Sequence, residues 1–196
     1  MNKRIQQKMA TRDKILRIAQ EVFSEYGFQD TTITLIIERA EIGYGTVYGH
    51  FKNKDEILST LIEQTMSAFF EVAHMSFQPK SEQEAIAIIS TQVEQFLTLA
   101  REYKQSLQLI HEAMRYSDLI RQKWAEIVQD FVANIAQDIA YSKTQAFIKA
   151  NVDAEIIAQA WFAINETFLW NIVHNDQLSI THIAEQITQF YISALY

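Results

Sequence analysis

Apolar residues recur along this chain at spacings of three and four, the mark of helices with one buried face. The first such stretch holds Ile15, Leu16, Ala19, Val22, Phe23 and Tyr26. Thr11 is placed to cap its start, and Gly27 sits where a helix C-terminus favours a left-handed residue. TTITLIIERA, residues 31–40, is rich in β-branched side chains and would suit a strand. The spacing of Ile33, Ile36, Ile37 and Ala40 suits a short helix better, with Thr31 or Thr32 as its cap. Three residues later the pattern predicts another short helix over about 44–51, with Val47 and Phe51 inward.

Asn53 and Glu56 have capping-box spacing and open a long helix through Leu61, Ile62, Met66, Phe69 and Phe70. It fades before Pro79. Ser81 and Glu84 repeat the pattern ahead of Ala85, Ile88, Ile89, Gln92, Val93, Phe96 and Ala100. A shorter helix over about 103–115 buries Leu107, Ile110 and Met114. Asp118 caps the next, whose stripe is Ile120, Trp124, Ile127, Val128, Phe131, Ile135 and Ile139. Two last helices are expected over about 154–174 and about 180–195. The fold class is all-α, with about nine helices.

The first of these last two helices is apolar on two faces, and both must be covered. One face carries Trp161 and Phe168, the other Ala158, Phe162, Leu169 and Val173. The last helix adds Ile183, Ile187, Phe190, Tyr191 and Ala194. A second copy of the chain would cover the surplus, so these nine residues from Ala158 to Ala194, the face of Trp161 and Phe168 apart, are the candidate interface of a two-fold homodimer. The alternative is that both helices are central in a monomer core.

Composition sharpens this picture. The 196 residues include four glycines, one proline and no cysteine, so tight turns are few. Without cysteine there is no disulfide, thiolate metal site or Cys nucleophile. The five histidines show no H-E-x-x-H spacing, and no nucleophile motif occurs. Neither an enzyme nor a cofactor is expected. No signal-like apolar segment opens the chain, and no apolar run nears the roughly 20 residues that cross a bilayer, so the expected compartment is cytoplasmic.

The net charge of -7 is unevenly spread. Residues 1–54 hold nine basic and six acidic side chains, and the remainder holds eight and eighteen. A basic head on an acidic body points to nucleic acid at the head.

Three of the four glycines, Gly43, Gly45 and Gly49, fall in GYGTVYGH. A dinucleotide loop would need a third glycine at the place of Tyr48, and no triphosphate-loop lysine motif follows. Two short helices with a tight turn instead suit a helix-turn-helix. With Val47 and Phe51 inward, Tyr44, Thr46, Tyr48 and His50 face outward, suited to base edges and phosphates. Gly45 allows close approach to the DNA backbone, and Lys52 and Lys54 can neutralise phosphates. An N-terminal arm with Lys3, Arg4, Lys8 and Arg12 could add phosphate or minor-groove contacts.

The run from TRDKIL at 11–16 to GTVYGHFKNKDEIL at 45–58, with Tyr26-Gly27 and the Thr31-Thr32 cap between, closely resembles the TetR/AcrR family of bacterial repressors. The resemblance implies a DNA-binding domain over 1–54 and a helical effector-binding and dimerisation domain over 55–196. It implies DNA contacts at Thr32 and Thr34, at Thr46, Tyr48 and His50, and at Lys54. It also implies a ligand-responsive repressor that binds a near-palindromic double-stranded operator as a homodimer. The turn departs from the family pattern. Ala40-Glu41-Ile42-Gly43 stands where Ala-Gly-Val-Ser is usual, so the turn glycine has moved two places along.

EAMRYSDLIRQKW and AWFAINETFLWNIVHND more weakly resemble fatty-acid-metabolism regulators of that family, which respond to acyl-CoA. That implies a small apolar effector such as a fatty acyl compound. The alternatives are a multidrug-efflux repressor sensing aromatic or cationic compounds, and a helical interaction module without DNA. Candidate pocket residues are Phe96, Tyr103, Glu112, Met114, Arg115, Trp124, Phe131, Trp161, Asn165, Glu166 and Phe168. Glu112 and Glu166 stand within apolar stretches, as ligand anchors, in an internal pair with arginine, or exposed.

Overall fold

In a computed structural model, residues 3–195 are described. They form nine helices and no strand: α1 (Lys3–Asp30), α2 (Ile33–Ala40), α3 (Tyr44–Tyr48), α4 (Lys54–Ala73), α5 (Glu82–Glu102), α6 (Lys104–Ala113), α7 (Asp118–Thr144), α8 (Ala154–His174) and α9 (Ile180–Leu195). The chain divides into two compact units. One takes the N-terminal residues through Thr65 together with Gln105–Trp124; the other takes Met66–Lys104 and Ala125 onward. The N-terminal unit therefore includes the opening of α4, most of α6 and the opening of α7 besides residues 1–54.

In the N-terminal unit the predicted stripe of α1 is buried at Ile15, Leu16, Ala19, Val22 and Phe23, and α1 packs on α2. Each fully buried Ile, Leu or Phe contributes roughly 1.5–3 kcal/mol. The residues around 31–40 are helical. Thr32 has extended backbone and its hydroxyl accepts from the Leu35 amide at 3.1 Å. Thr31 is buried instead and donates to the Gly27 carbonyl at 2.6 Å. Gly27 breaks the helical path of α1 with φ 73° and ψ 177°, a conformation that disfavours any side chain.

Two sequence expectations fail at helix starts. Helix α1 begins at Lys3, so the arm of Lys3, Arg4, Lys8 and Arg12 is helical. Thr11 then caps nothing; its hydroxyl donates to the Gln7 carbonyl one turn back. At α7 the cap is Ser117, which accepts from the Ile120 amide at 3.3 Å, while Asp118 is already helical. The other two caps hold. Asn53 accepts from Glu56, and Ser81 from Glu84. Each glutamate reaches back one residue before its cap, to the amides of Lys52 and Lys80.

In the second unit α5 packs against α8 and α9, and α8 against α9. Arg101 ties this arrangement by donating to the Leu178 carbonyl at 2.6 Å, and Lys104 pairs with Asp176 at 2.5 Å. Aromatic rings fill its centre. Phe96 meets Phe69 and Phe131 edge-on at 5.4 and 5.9 Å, and Phe131 stacks on Phe162 at 5.3 Å.

Candidate nucleic-acid interface and effector cavity

The loop from α2 to α3 sets what the N-terminal unit can present. Glu41 ends α2 with φ 53° and ψ 43°, a left-handed conformation. Gly43 has extended backbone (φ -61°, ψ 143°) and starts α3 without a side-chain cap. The residue that needs positive φ is thus a glutamate, while the glycine two places on occupies a conformation any residue adopts.

Helix α3 is one short turn held by Val47, which is fully buried. Phe51 follows and is buried as well. Their inward placement leaves Tyr44 and Tyr48 51% and 48% exposed, large aromatic rings on the surface of a small unit. Neither hydroxyl bonds to the protein among the described residues. Gly45 and Thr46 are exposed beside them, and a methyl group at Gly45 would meet nothing within 4 Å. Thr32 and Thr34 are exposed on α2.

The cations divide into two kinds. Lys52 is 86% exposed at its side chain, with Glu56 3.6 Å away. Arg12 is half-buried; its guanidinium donates to the Thr60 hydroxyl at 3.2 Å and lies 5.0 Å from the centre of the Phe51 ring. His50 is half-buried in the same place, lining a small recess with Arg12, Phe51 and Thr60. Burial, then the charges of Lys8 and Arg12, hold its imidazole below the ordinary value, so it is neutral near pH 7.

Lys54 corrects the sequence reading. Its ammonium donates to the carbonyls of Phe28 (2.6 Å), Gln29 (3.1 Å) and Thr31 (2.7 Å) and lies 4.4 Å from the Phe28 ring centre. All three of its donors are spent inside the unit, on carbonyls that the turn after Gly27 leaves unpaired. Lys54 builds the head rather than gripping phosphate. Burial holds its pKa below the ordinary lysine value.

Glu112 is its counterpart. Its carboxylate oxygen accepts from the amides of Phe28 (3.0 Å) and Gln29 (3.2 Å). It therefore lies in the N-terminal unit and is absent from the wall of the second unit's cavity, which removes it from that pocket set. Met114, Arg115 and Trp124 belong to the same unit and are likewise absent from the cavity wall.

The second unit contains a cavity of about 90 Å³. Of the expected pocket residues, Phe96, Phe131, Trp161 and Asn165 line it; Tyr103, Glu166 and Phe168 do not. Tyr103 packs near Phe69 instead, with ring centres 6.0 Å apart. Phe162 and Tyr191, expected in the dimer interface, line this cavity, and Tyr191 stacks on Trp161 at 4.1 Å. Ala158, Leu169, Val173 and Ile187 are also buried within the single chain, because α8 turns that face toward α5 and α9. The apolar surface left open on α8 and α9 is Ile156 and Phe190, 63% and 64% exposed, with Ala194 exposed and Ile183 half-buried.

The sequence reading missed Asp138, Gln92 and Asn134 on the cavity wall. The signal was present: Phe131, Asn134, Ile135, Asp138 and Ser142 share one face of α7 by their spacing, which sets a carboxylate on an apolar stripe. Burial pushes Asp138 up to about 7 from an ordinary value near 3.8.

A small unit that offers two tyrosines, a threonine and a glycine on the second helix of a helix-turn-helix, flanked by basic side chains, is the DNA-binding head of a transcription regulator. Residues 15–61 match the family described as "Bacterial regulatory proteins, tetR family". That segment is a TetR-type helix-turn-helix domain. It is 26% identical over 187 residues to the fatty acid metabolism regulator protein of Bacillus subtilis, covering 93% of this chain and 94% of that one. A TetR-family structure from Syntrophomonas wolfei superposes with a TM-score of 0.76 at 21% identity, covering 95% of each chain. The regulator FadR from Bacillus subtilis, solved in complex with stearoyl-CoA, superposes with a TM-score of 0.73 at 21% identity, covering 93% of this chain and 98% of that one. No helix among the described residues is long and apolar enough to cross a membrane.

Proposed function

We propose that this protein is a cytoplasmic repressor that leaves its operator when a small, largely apolar effector binds in the cavity of the second unit. The observation that carries the DNA part is the exposed face of Tyr44, Thr46 and Tyr48, whose hydroxyls make no hydrogen bond within the unit among the described residues. Tyrosine and threonine hydroxyls donate to phosphates and base edges, and Lys52 with the basic start of α1 supplies the sequence-independent attraction.

A homodimer sets two such helices in successive major grooves, about 34 Å apart, on a near-palindromic site. Ile156 and Phe190 support it, as large apolar side chains left well exposed on two helices that pack together. Phe190→Glu is expected to convert a dimer to monomers in light scattering. An unchanged mass places the interface elsewhere.

A fatty acyl compound is the effector class that the relatives support. The cavity is small for it: an apolar cavity of about 150 Å³ takes benzene, and this one holds about 90 Å³. An elongated effector therefore enters only as helices part, and binding selects a conformation distinct from the empty one. If that conformation spaces the heads wrongly, DNA affinity falls by linkage.

The test is fluorescence anisotropy on operator fragments selected from genomic DNA. Binding should be steep in salt, and Tyr48→Phe with Thr46→Ala should weaken it about tenfold or more. Unchanged binding in that variant would refute the docking face. Stearoyl-CoA should raise the melting temperature and release DNA; no effect on either removes the acyl class.

A further inference from the structure

The cavity wall carries one negatively ionisable carboxylate and no cationic side chain. Its polar side chains are Gln92, Asn134, Asp138, Ser142 and Asn165. The three amides have each committed an N–H to a backbone carbonyl: Gln92 to Val72 (3.4 Å), Asn134 to Ala73 (2.6 Å) and Asn165 to Trp161 (2.9 Å). Their side-chain oxygens, like the Asp138 carboxylate, accept no hydrogen bond from the protein among the described residues. No lysine, arginine or histidine lines the wall, and the one other ionisable group on it is the Tyr191 phenol. His74, the residue that follows α4, stacks on Phe70 and is exposed.

A half-buried carboxylate on an apolar wall is stabilised by a cationic partner, and here the protein supplies none. What would complete the wall is a hydrogen-bond donor with positive charge on an apolar body. We propose that the cavity, widened as its helices part, is a receptor for a lipophilic amine, whose ammonium sits on the Asp138 carboxylate and whose apolar body lies against Phe96, Phe131 and Phe162. The proposal rests on reading this cavity as the effector site. Aromatic faces attract the same cation, which adds to the ion pair. In the empty cavity burial pushes Asp138 up to about 7; an ammonium beside it favours the ionised form and reverses that push. An anionic head group meets the opposite situation, with the Asp138 carboxylate on the wall and only neutral donors, no cation, to hold it. An acyl chain can fill the apolar part, but its carboxylate or phosphates must stay outside.

The experiment compares octylamine with octanoate, equal in chain length and opposite in charge, by calorimetry at pH 8 on the intact protein. Octylamine should bind at least about tenfold more tightly. Asp138→Asn keeps the volume and removes the buried charge, so it should fold; it should lose about tenfold in octylamine affinity and leave octanoate unchanged. Octanoate binding as well as octylamine, or octylamine indifferent to Asp138→Asn, overturns the amine receptor while the cavity stands as the effector site. If neither compound binds, the effector-site reading falls with it.

Discussion

Replacing Glu41 by glycine should make the protein more stable. Glu41 holds φ 53°, ψ 43° at the end of α2. A left-handed conformation costs an L-residue about 1–2 kcal/mol. Glycine removes that cost but brings about 0.5–1 kcal/mol of extra unfolded-chain entropy. The side chain is exposed and makes no hydrogen bond or ion pair in the structure, so its removal forfeits no contact. The net gain is about 0.5–1 kcal/mol, or about 1–4 °C in melting temperature for a chain of this size. Urea titration of wild type, Glu41→Gly and Glu41→Ala separates causes, because alanine removes the charge and keeps the strain. The reasoning fails if Glu41→Gly is no more stable than Glu41→Ala. Ala146, with φ 57° near the end of α7, is an internal comparison, and Ala146→Gly should show a gain of the same order. Operator affinity should rise equally in both Glu41 variants, since each removes a negative charge next to the DNA-facing helix.

Lys54→Met should lower stability by about 1–3 kcal/mol, because three carbonyls lose their donor; among folded molecules the salt slope of operator binding should stay as it is. Lys52→Ala should do the reverse, leaving stability alone and reducing the slope by about one. A phosphate beside His50 would favour its charged form, so DNA binding takes up a proton and affinity should rise from pH 8 to pH 6, an increase that His50→Gln diminishes. Asp138 carries a raised folded pKa, so its cost is absent below about pH 4, grows as pH rises, and is complete above about 7. The full displacement would be worth about 4 kcal/mol, and solvent screening at a partly exposed group reduces it to about 1–2 kcal/mol. Asp138→Asn should therefore exceed wild type in urea stability at pH 8 and match it near pH 4.

The helices were legible because their signals are local. A stripe at spacings of three and four, a capping threonine or asparagine and a glycine at a turn all act within a few residues, and Thr32, Asn53, Ser81 and Gly27 perform those parts. The outward face of Tyr44, Thr46 and Tyr48 followed from burying Val47 and Phe51. What escaped depends on partners distant in sequence. Glu112 sits 84 residues from the amide it caps, and nothing near either end announces the pairing. Lys54 has the look of a phosphate ligand until the unpaired carbonyls after Gly27 are in place. Phe162 and Tyr191 were assigned outward because a helix apolar on two faces does not reveal which face its own chain covers.

The Glu112 carboxylate reaching the amides behind Gly27 also has a consequence for anyone building hybrid regulators. A graft cut at residue 54 would carry every residue proposed to face DNA and still leave the bend of α1 without its anchor. It would also strip Asp55 and Glu63 from the head along with their partners, Ser117 and Lys123. The transplantable reading head is discontinuous: it needs α6 and the start of α7, or substitutes for Glu112, Ser117 and Lys123 in the recipient scaffold.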